Sequence, residues 1–139
     1  MSESAVAPAR TVAFGLIGLG NINKAHLEGY RRATDAADVV AVCDQVEAAV
    51  GDIAAEFGAT AYTDYRDLLG DAEVDAVDIT LPHNLHYPIV RDALVAGKHV
   101  LVEKPLALRA TDCRELIELA RSRDLVLTVA ENTRFVIAY

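Results

Sequence analysis

The sequence predicts a doubly wound α/β domain, in which helices cover both faces of a parallel sheet. The first indication is that short apolar runs alternate along the chain with longer segments of helical period. The second is that runs such as VVAV and HVLV are apolar at every position, as expected of strands buried on both sides. The third is size, because 139 residues with 53% hydrophobic side chains suffice for one well-packed core and not for two ordinary domains.

The individual elements follow from the apolar runs and from helix-ending glycines. Strands are predicted at Val12–Leu19, Val39–Cys43, Ala76–Thr80, His99–Val102 and Leu125–Ala130. Helices are predicted at Lys24–Ala33, Val46–Phe57, Tyr87–Ala96 and Ala110–Ser122, with one or two helical turns at Tyr65–Leu69. The stretch around Ala61 leaves room for one further strand. The first ten residues, MSESAVAPAR, are small, polar and Pro-containing, which predicts a disordered leader.

Composition and charge argue against several classes of partner. The chain has 13 Lys and Arg against 21 Asp and Glu, for a net charge of -8, which disfavours nucleic acid and anionic membrane surfaces. No apolar run approaches the ~20 residues that a membrane span requires. The two cysteines, Cys43 and Cys113, are too few for a disulfide framework or a thiolate metal site. We therefore predict a cytoplasmic protein that handles small molecules, with neither nucleic acid nor membrane as a partner.

A glycine turn, GLGNIN, follows the first predicted strand. In a doubly wound sheet, ligands bind beyond the carboxyl ends of the strands. Gly18 allows a tight turn, Gly20 lets the backbone approach a pyrophosphate closely, and the next helix directs its positive end at that anion. Asn23 replaces the third glycine of G-x-G-x-x-G, which predicts looser packing of the helix on the sheet. The same pattern also fits an ordinary turn without a ligand.

Asp44 ends the second predicted strand, a little over the ~20 residues after the glycines at which an acidic residue accepts both ribose hydroxyls of NAD. A 2'-phosphate would be repelled at that position. Gln45 and Val46 follow, so no Arg stands next to Asp44 to pair with such a phosphate. These residues favour NAD over NADP, and the alternative is a solvated Asp that caps the next helix.

The loop after Ala76–Thr80 reads LPHNLH and holds His83 and His86. Two histidines three residues apart raise the question of a metal. No cysteine or carboxylate lies near them in sequence to complete a ligand set, so we predict no metal site. A polar loop lining a cofactor cleft is favoured, with an ordinary helix-capping loop as the alternative.

The charged pair Glu103 and Lys104 follows the apolar run His99–Val102 directly. Pro105 restricts Lys104 to extended backbone geometry, so the lysine is held at the mouth of the sheet. Beside a cationic nicotinamide, such a lysine is suited to donate or accept a proton near neutral pH. By residue type alone, the pair also fits a surface ion pair.

These segments resemble the nucleotide-binding domain of the Gfo/Idh/MocA family, named after glucose-fructose oxidoreductase, inositol dehydrogenase and rhizopine catabolism. The resemblance runs from Val12 to Phe135 and rests on GLGNI, VDAVDITLPHNLH, ALVAGKHVLVEKPLAL and the late NTRF, in the family's order and spacing. It implies a Rossmann-like fold. It also implies an NAD(P)-dependent oxidoreductase that transfers a hydride between nicotinamide and a sugar, cyclitol or related hydroxy or keto compound.

The resemblance further implies roles for individual residues. On the pyrophosphate loop and the adenosine ribose site, the matching residues are Gly18, Gly20, Asn21, Ile22 and Asp44. Around the nicotinamide, the matching residues are Pro82, His83, Asn84, His86, Glu103, Lys104 and Arg134, where it stays open which of His83 and Asn84 touches the cofactor. Lys104 is the implied catalytic residue and serves as a proton relay to the substrate hydroxyl.

Members of this family are longer and carry a second α/β domain. That domain supplies most of the substrate pocket and the surface for oligomerisation. We therefore expect a leader at 1–10, a dinucleotide-binding domain at 11–139, and little or no turnover by this chain alone. The full-length form is expected to be a homo-oligomer acting on a small sugar-like substrate. The alternative is a stand-alone NAD-binding sensor without catalysis. The third hypothesis is a methyltransferase, which gains no support from the EKP motif at 103–105.

Overall fold

The computed structural model describes residues 10–132, which form a six-stranded parallel sheet with helices packed on it. The strands are β1 Val12–Ile17, β2 Ala37–Cys43, β3 Thr60–Tyr62, β4 Ala76–Ile79, β5 His99–Glu103 and β6 Leu127–Ala130. The helices are α1 Asn23–Arg32, α2 Glu47–Phe57, α3 Tyr65–Gly70, α4 His86–Val95 and α5 Ala110–Ser122, with a 3-10 turn at His83–Leu85 leading into α4. The predicted fold class is confirmed, and the stretch around Ala61 is a strand.

The predicted and observed boundaries differ by a few residues. The strand β1 ends at Ile17 rather than Leu19, because Gly18 has φ +91° and leaves the extended region. The Gly18 N–H then donates to the carbonyl of Cys43 at 2.9 Å, which holds the start of the turn against the end of β2. The short β3 pairs in parallel with β2 at the edge of the sheet.

The strands lie in the order β3-β2-β1-β4-β5-β6. The chain therefore moves outward from β1 to β3, returns to the middle of the sheet, and then moves outward on the other side. Such a reversal between β1 and β4 leaves a crevice beyond the carboxyl ends of these two strands, where ligands bind in doubly wound folds.

Two hydrophobic cores lie on opposite faces of the sheet. The core under α3, α4 and α5 includes Leu68, Ile79, Val90, Leu94 and Leu116. The core under α1 and α2 includes Leu16, Leu27, Tyr30, Val42 and Val50. The register Leu16–Asp78–Leu101 across β1, β4 and β5 puts all three side chains on the face that α1 covers. Glu103 is two residues further along β5, so it points to the same face.

Arg10 is the first described residue and belongs to the folded part of the chain. Its guanidinium donates to both carboxylate oxygens of Asp75, at 2.5 and 2.6 Å. Arg10, the last residue of the predicted leader, is thus attached to the folded domain. The other nine residues of that prediction lie outside the described ones, as do Arg134 and Phe135. Among residues 10–132, no helix has the length and apolar character needed to cross a bilayer.

Candidate functional site

A cleft of about 430 Å³ opens at the point where the strand order reverses. It extends over the carboxyl ends of β1, β2 and β4. Its lining comprises Ile17, Gly18, Cys43, Asp44, Gln45, Thr63, Asp64, Tyr65, Arg66, Leu81, Pro82, Leu85 and Ile89. The sheet thus brings Gly18, Asp44 and Pro82 together, although these three residues lie far apart in sequence.

The glycine turn packs tightly at its first glycine and is open at its second. A Cβ atom on Gly18 would lie 2.5 Å from the carbonyl oxygen of Thr80, so no side chain fits there. The Thr80 hydroxyl donates to the Gly18 carbonyl at 2.6 Å and ties the turn to the end of β4. Gly20, in contrast, has no other atom within 4 Å of the position of its Cβ. The exposed Asn21 and Ile22 continue the turn, which offers an open backbone surface on the solvent side.

Asn23 does not loosen α1, contrary to our expectation. Its side chain is buried, with 1% exposure, and its amide nitrogen donates to the Thr80 hydroxyl at 3.3 Å. Asn23 therefore connects the first residue of α1 to the end of β4, where a glycine would leave no side chain to do so. Its amide oxygen has no hydrogen-bond partner among the described residues.

Asp44 contacts both the glycine turn and the turn into α2. One carboxylate oxygen accepts the Leu19 N–H at 2.8 Å, and the other accepts the Val46 N–H at 2.9 Å. The second contact orders the turn into α2, and the first holds the glycine turn in place. An ionised carboxylate accepts about four hydrogen bonds, so both oxygens retain capacity for the hydroxyl groups of a ribose.

Arg66 lines the same cleft as Asp44. The residues next to Asp44 in sequence include no arginine, whereas the fold brings Arg66 to the cleft from the start of α3. Its guanidinium carbon lies 4.6 Å from the centre of the Tyr65 ring, and one of its nitrogens is 3.5 Å from an Asp64 carboxylate oxygen. The cleft therefore presents a cation and an aromatic ring beside the predicted ribose site.

Burial of the neighbouring Cys43 thiol, aided by the negative charge of Asp44, raises its pKa to about 11. The thiol is therefore protonated at neutral pH and suits packing rather than nucleophilic chemistry.

The loop after β4 divides into exposed and buried residues. Pro82 lines the cleft, and His83 and Asn84 are exposed. His86 has an environment different from the predicted one, because it is 0% exposed and both of its ring nitrogens face backbone carbonyls. These carbonyls belong to Pro105, at 2.6 Å, and Leu81, at 2.8 Å. His86 thus joins the loop after β4 to the segment after β5 and has no free nitrogen for a cofactor.

Glu103 and Lys104 do not form an ion pair with each other. One Glu103 carboxylate oxygen lies 3.1 Å from His26 Nε2, and the other accepts the backbone N–H of Lys104 at 3.1 Å. The Lys104 side chain is exposed at the carboxyl end of β5, and no carboxylate within residues 10–132 pairs with its ammonium group. The alternative of a surface pair between these two side chains is therefore wrong.

A polar cluster that was not predicted from the sequence lies next to this pair, around the buried Asp78. His26 of α1 lies 2.8 Å from Asp78 of β4 through Nδ1, and the Tyr30 hydroxyl donates to the same Asp78 oxygen at 3.0 Å. Asp78 is completely buried. An aspartate inside the apolar strand VDIT was the available signal, because a buried charge requires partners. The described residues contain no group of three metal-type ligands arranged around a common point.

Residues 12–131 match the family described as oxidoreductases with an NAD-binding Rossmann fold, Gfo/Idh/MocA. This chain belongs to that family. It is 39% identical over 115 residues to the inositol 2-dehydrogenase/D-chiro-inositol 3-dehydrogenase of Lactiplantibacillus plantarum, a match that covers 81% of this chain. It spans only 33% of that relative's length.

Two solved structures are also similar to this chain. The WlbA dehydrogenase from Bordetella pertussis, in complex with NADH and UDP-GlcNAcA, has a TM-score of 0.85 and 29% identity, over 94% of this chain and 38% of that chain. The 3-ketoreductase KijD10 from Actinomadura kijaniata, in complex with NADP and TDP-benzene, has a TM-score of 0.82 and 31% identity. That match covers 87% of this chain and 37% of the ketoreductase. The chain therefore corresponds to the dinucleotide-binding part of longer oxidoreductases.

Proposed function

We propose that this chain binds NAD as the cofactor half of an oxidoreductase that acts on a sugar, a cyclitol or a related hydroxy or keto compound. The observation that carries the proposal is the cleft at the strand reversal, which holds the tight Gly18 turn and the Asp44 carboxylate together. Relatives that act on inositol or bind nucleotide sugars support the class of substrate.

The residues of the cleft fit a dinucleotide. The open side of the turn at Gly20, Asn21 and Ile22 leaves room for a pyrophosphate beside the N-terminus of α1. Asp44 retains acceptor capacity for the hydroxyls of the adenosine ribose. Pro82, with His83 and Asn84 beside it, is placed to border the nicotinamide half. When bound, NAD supplies the ring that accepts or donates the hydride.

Lys104 is the group that would move the proton. Its amine is exposed and free of an ion pair among the described residues, so it is available to a substrate hydroxyl. Glu103 holds the backbone of Lys104 through the N–H contact at 3.1 Å. For His86 we now propose a positioning role, because its two contacts keep the loops after β4 and β5 at a constant separation. Arg134, predicted near the nicotinamide, remains a prediction.

The preference for NAD over NADP is part of the proposal. Asp44 repels a 2'-phosphate and favours free hydroxyls, whereas Arg66 in the same cleft attracts a phosphate. Both NADH and NADP are seen in similar structures, so the balance between these two side chains is what an experiment must measure. We expect Asp44 to dominate, because its carboxylate is fixed by two backbone N–H groups and Arg66 is exposed.

Calorimetric titration of the chain with NAD and with NADP tests this proposal. We expect tighter binding of NAD, and Asp44→Asn should weaken NAD binding about tenfold, a loss of about 1.4 kcal/mol. Asparagine keeps an oxygen acceptor for the glycine turn, so the fold is retained. The matched control is Asp52→Asn, which removes one charge from the exposed surface of α2 and should leave binding unchanged. Absence of binding to either cofactor by the folded chain would refute the proposal.

Lysine labelling tests whether Lys104 lies beside the nicotinamide half of the bound cofactor. The chain has three lysines: exposed Lys24 and Lys104, and buried Lys98, whose ammonium donates to the carbonyls of Asp71 and Val74 at 2.7 Å. Saturating NADH should protect Lys104 from acylation, measured by mass spectrometry, and leave Lys98 slow in both states. Unchanged labelling of Lys104 by bound NADH would remove Lys104 from the site.

For the whole protein, we propose a cytoplasmic homo-oligomer whose remaining part completes the substrate pocket. The two cysteines, which are free thiols, support a reducing compartment. The share of the relatives that this chain spans, about a third, supports a substrate pocket shared with residues beyond this chain. Size-exclusion chromatography with light scattering on the full-length protein measures the oligomer.

A further inference from the structure

His26 lies between two carboxylates from neighbouring strands. Its Nδ1 is 2.8 Å from Asp78, its Nε2 is 3.1 Å from Glu103, and its side chain is 12% exposed. An ionised carboxylate only accepts hydrogen bonds, so both ring nitrogens must carry hydrogen to satisfy both contacts. The geometry therefore describes an imidazolium that bridges β4 and β5 from α1.

The groups facing His26 come from each element packed around it. Asp78 of β4 and Glu103 of β5 supply negative charge, and Tyr30 of α1 donates its hydroxyl to Asp78. The hydrogen bond that His26 donates to Asp78 is the largest cause that raises the pKa of His26 to about 9, against the opposing effect of burial. The imidazolium is therefore the main form at neutral pH.

This bridge engages the carboxylate that precedes Lys104 directly in sequence. Glu103 uses one oxygen for His26 and the other for the Lys104 N–H. With both oxygens engaged, the Glu103 carboxylate is held against the α1 face of the sheet. The Lys104 ammonium then has no ion-pair partner among the described residues. Glu103 is adjacent to Lys104 in sequence. If its contact with His26 were lost, its carboxylate would be free to pair with the Lys104 ammonium.

The helix α1 that carries His26 is also attached to the glycine turn. Asn23 at its first residue bonds Thr80, and Thr80 bonds the Gly18 carbonyl. One rigid helix thus contacts the turn at one end and the Glu103–Lys104 segment one helical turn later.

We propose that His26 is a positioning residue for Lys104: by engaging Glu103, it keeps that carboxylate from pairing with the lysine ammonium. This inference rests on the proposed function, in which Lys104 relays the proton. His26 touches neither reactant and acts only through Glu103.

The test measures the acylation rate of Lys104 at pH 8 in the chain without cofactor, with Lys24 and Lys98 as internal references. We expect His26→Gln to slow labelling of Lys104 about threefold, the effect of a weak exposed ion pair with the released Glu103. In the double variant His26→Gln/Glu103→Gln, the rate should return to that of the parent chain. Glu118→Gln, on an exposed position of α5, is the control for loss of one negative charge.

Restoration of the Lys104 acylation rate by Glu103→Gln distinguishes positioning from general damage to the fold. A purely structural loss would not be reversed by removing a second side chain of the same cluster. An unchanged Lys104 rate in folded His26→Gln, or a slow rate that Glu103→Gln fails to restore, would overturn the proposal.

A second measurement needs no variant. Nitrogen NMR of the imidazole in the unmodified chain at pH 7.5 should show hydrogen on both ring nitrogens of His26; a neutral ring would overturn the bridge. Because neither experiment contains cofactor, their failure is distinct from a failure to bind NAD.

Discussion

The two halves of the site are built in different ways. In the first half, at the ends of β1 and β2, Asp44 is held by backbone N–H groups of Leu19 and Val46, and Gly18 by its packing on Thr80. In the second half, at the ends of β4 and β5, the contacts come from side chains: the part-buried His26 contacts Glu103, and the buried His86 contacts the Pro105 carbonyl. The first half is shaped by backbone and has no room for a side chain at Gly18, whereas the second depends on charge and hydrogen bonding. Substitutions should therefore fail in different ways in the two halves.

The largest effect is expected for Gly18→Ala. The new Cβ would lie 2.5 Å from a backbone oxygen, at a φ of +91° that L-residues rarely adopt. We expect a loss of about 3 kcal/mol or more in the free energy of unfolding, measured by urea denaturation. Gly20→Ala is the matched control and should stay within about 0.5 kcal/mol of the parent, because nothing lies within 4 Å of its Cβ. Equal losses in the two variants would contradict the packing difference between the two glycines.

The next effect is expected in the second half, for Asp78→Asn. The substitution leaves His26 and Tyr30 without the carboxylate that both contact in a buried site. We expect a destabilisation of about 2 kcal/mol. Asp52→Asn, on the exposed side of α2, serves as the control and should change the free energy of unfolding very little. A neutral outcome for Asp78→Asn would show that the cluster does not stabilise the fold.

The cluster should also make stability depend on pH. The pKa of His26 is raised from 6.5 to about 9 in the folded chain, so the bridge contributes fully below about pH 6.5 and is lost as pH rises through about 9. We expect roughly 2–3 kcal/mol less stability at pH 9.5 than at pH 6.5 from this group. Urea denaturation of the parent and of His26→Gln at both pH values isolates the contribution of His26. A parent and a variant with the same pH dependence would show that His26 is not the titrating group.

The smallest effect concerns cofactor choice in the first half. Arg66→Ala removes the cation that shares the cleft with Asp44. We expect NADP binding to weaken about threefold, since Arg66 is exposed and screened by solvent, with NAD binding nearly unchanged. Calorimetry with both cofactors measures the ratio, and Arg121→Ala on α5 is the control. A larger loss for NAD than for NADP would indicate that Arg66 contacts the adenine instead of a phosphate.

Much of the first half was predictable from the sequence, and little of the second. The turn at Gly18 and the carboxylate of Asp44 after β2 follow from short-range rules about strand ends and glycine, and the structure brings both into one cleft. Arg66 was not predicted there because its approach to Asp44 depends on how β3 and α3 fold back beside β2. The role of Asn23 was misjudged for a similar reason, since its partner Thr80 lies on another strand.

The sequence by itself determined the order of elements, the doubly wound fold and the identity of the residues at the strand ends. These features depend on apolar periodicity and on backbone geometry, which act over a few residues. Only the tertiary structure decided the partners of the buried polar groups. His86 was expected to touch a cofactor and instead bonds two backbone carbonyls, and Glu103 pairs with His26 instead of Lys104. A buried charge or imidazole is stabilised by the polar groups that the packing of distant segments brings within about 3 Å. The spacing of residues along the sequence does not determine that distance.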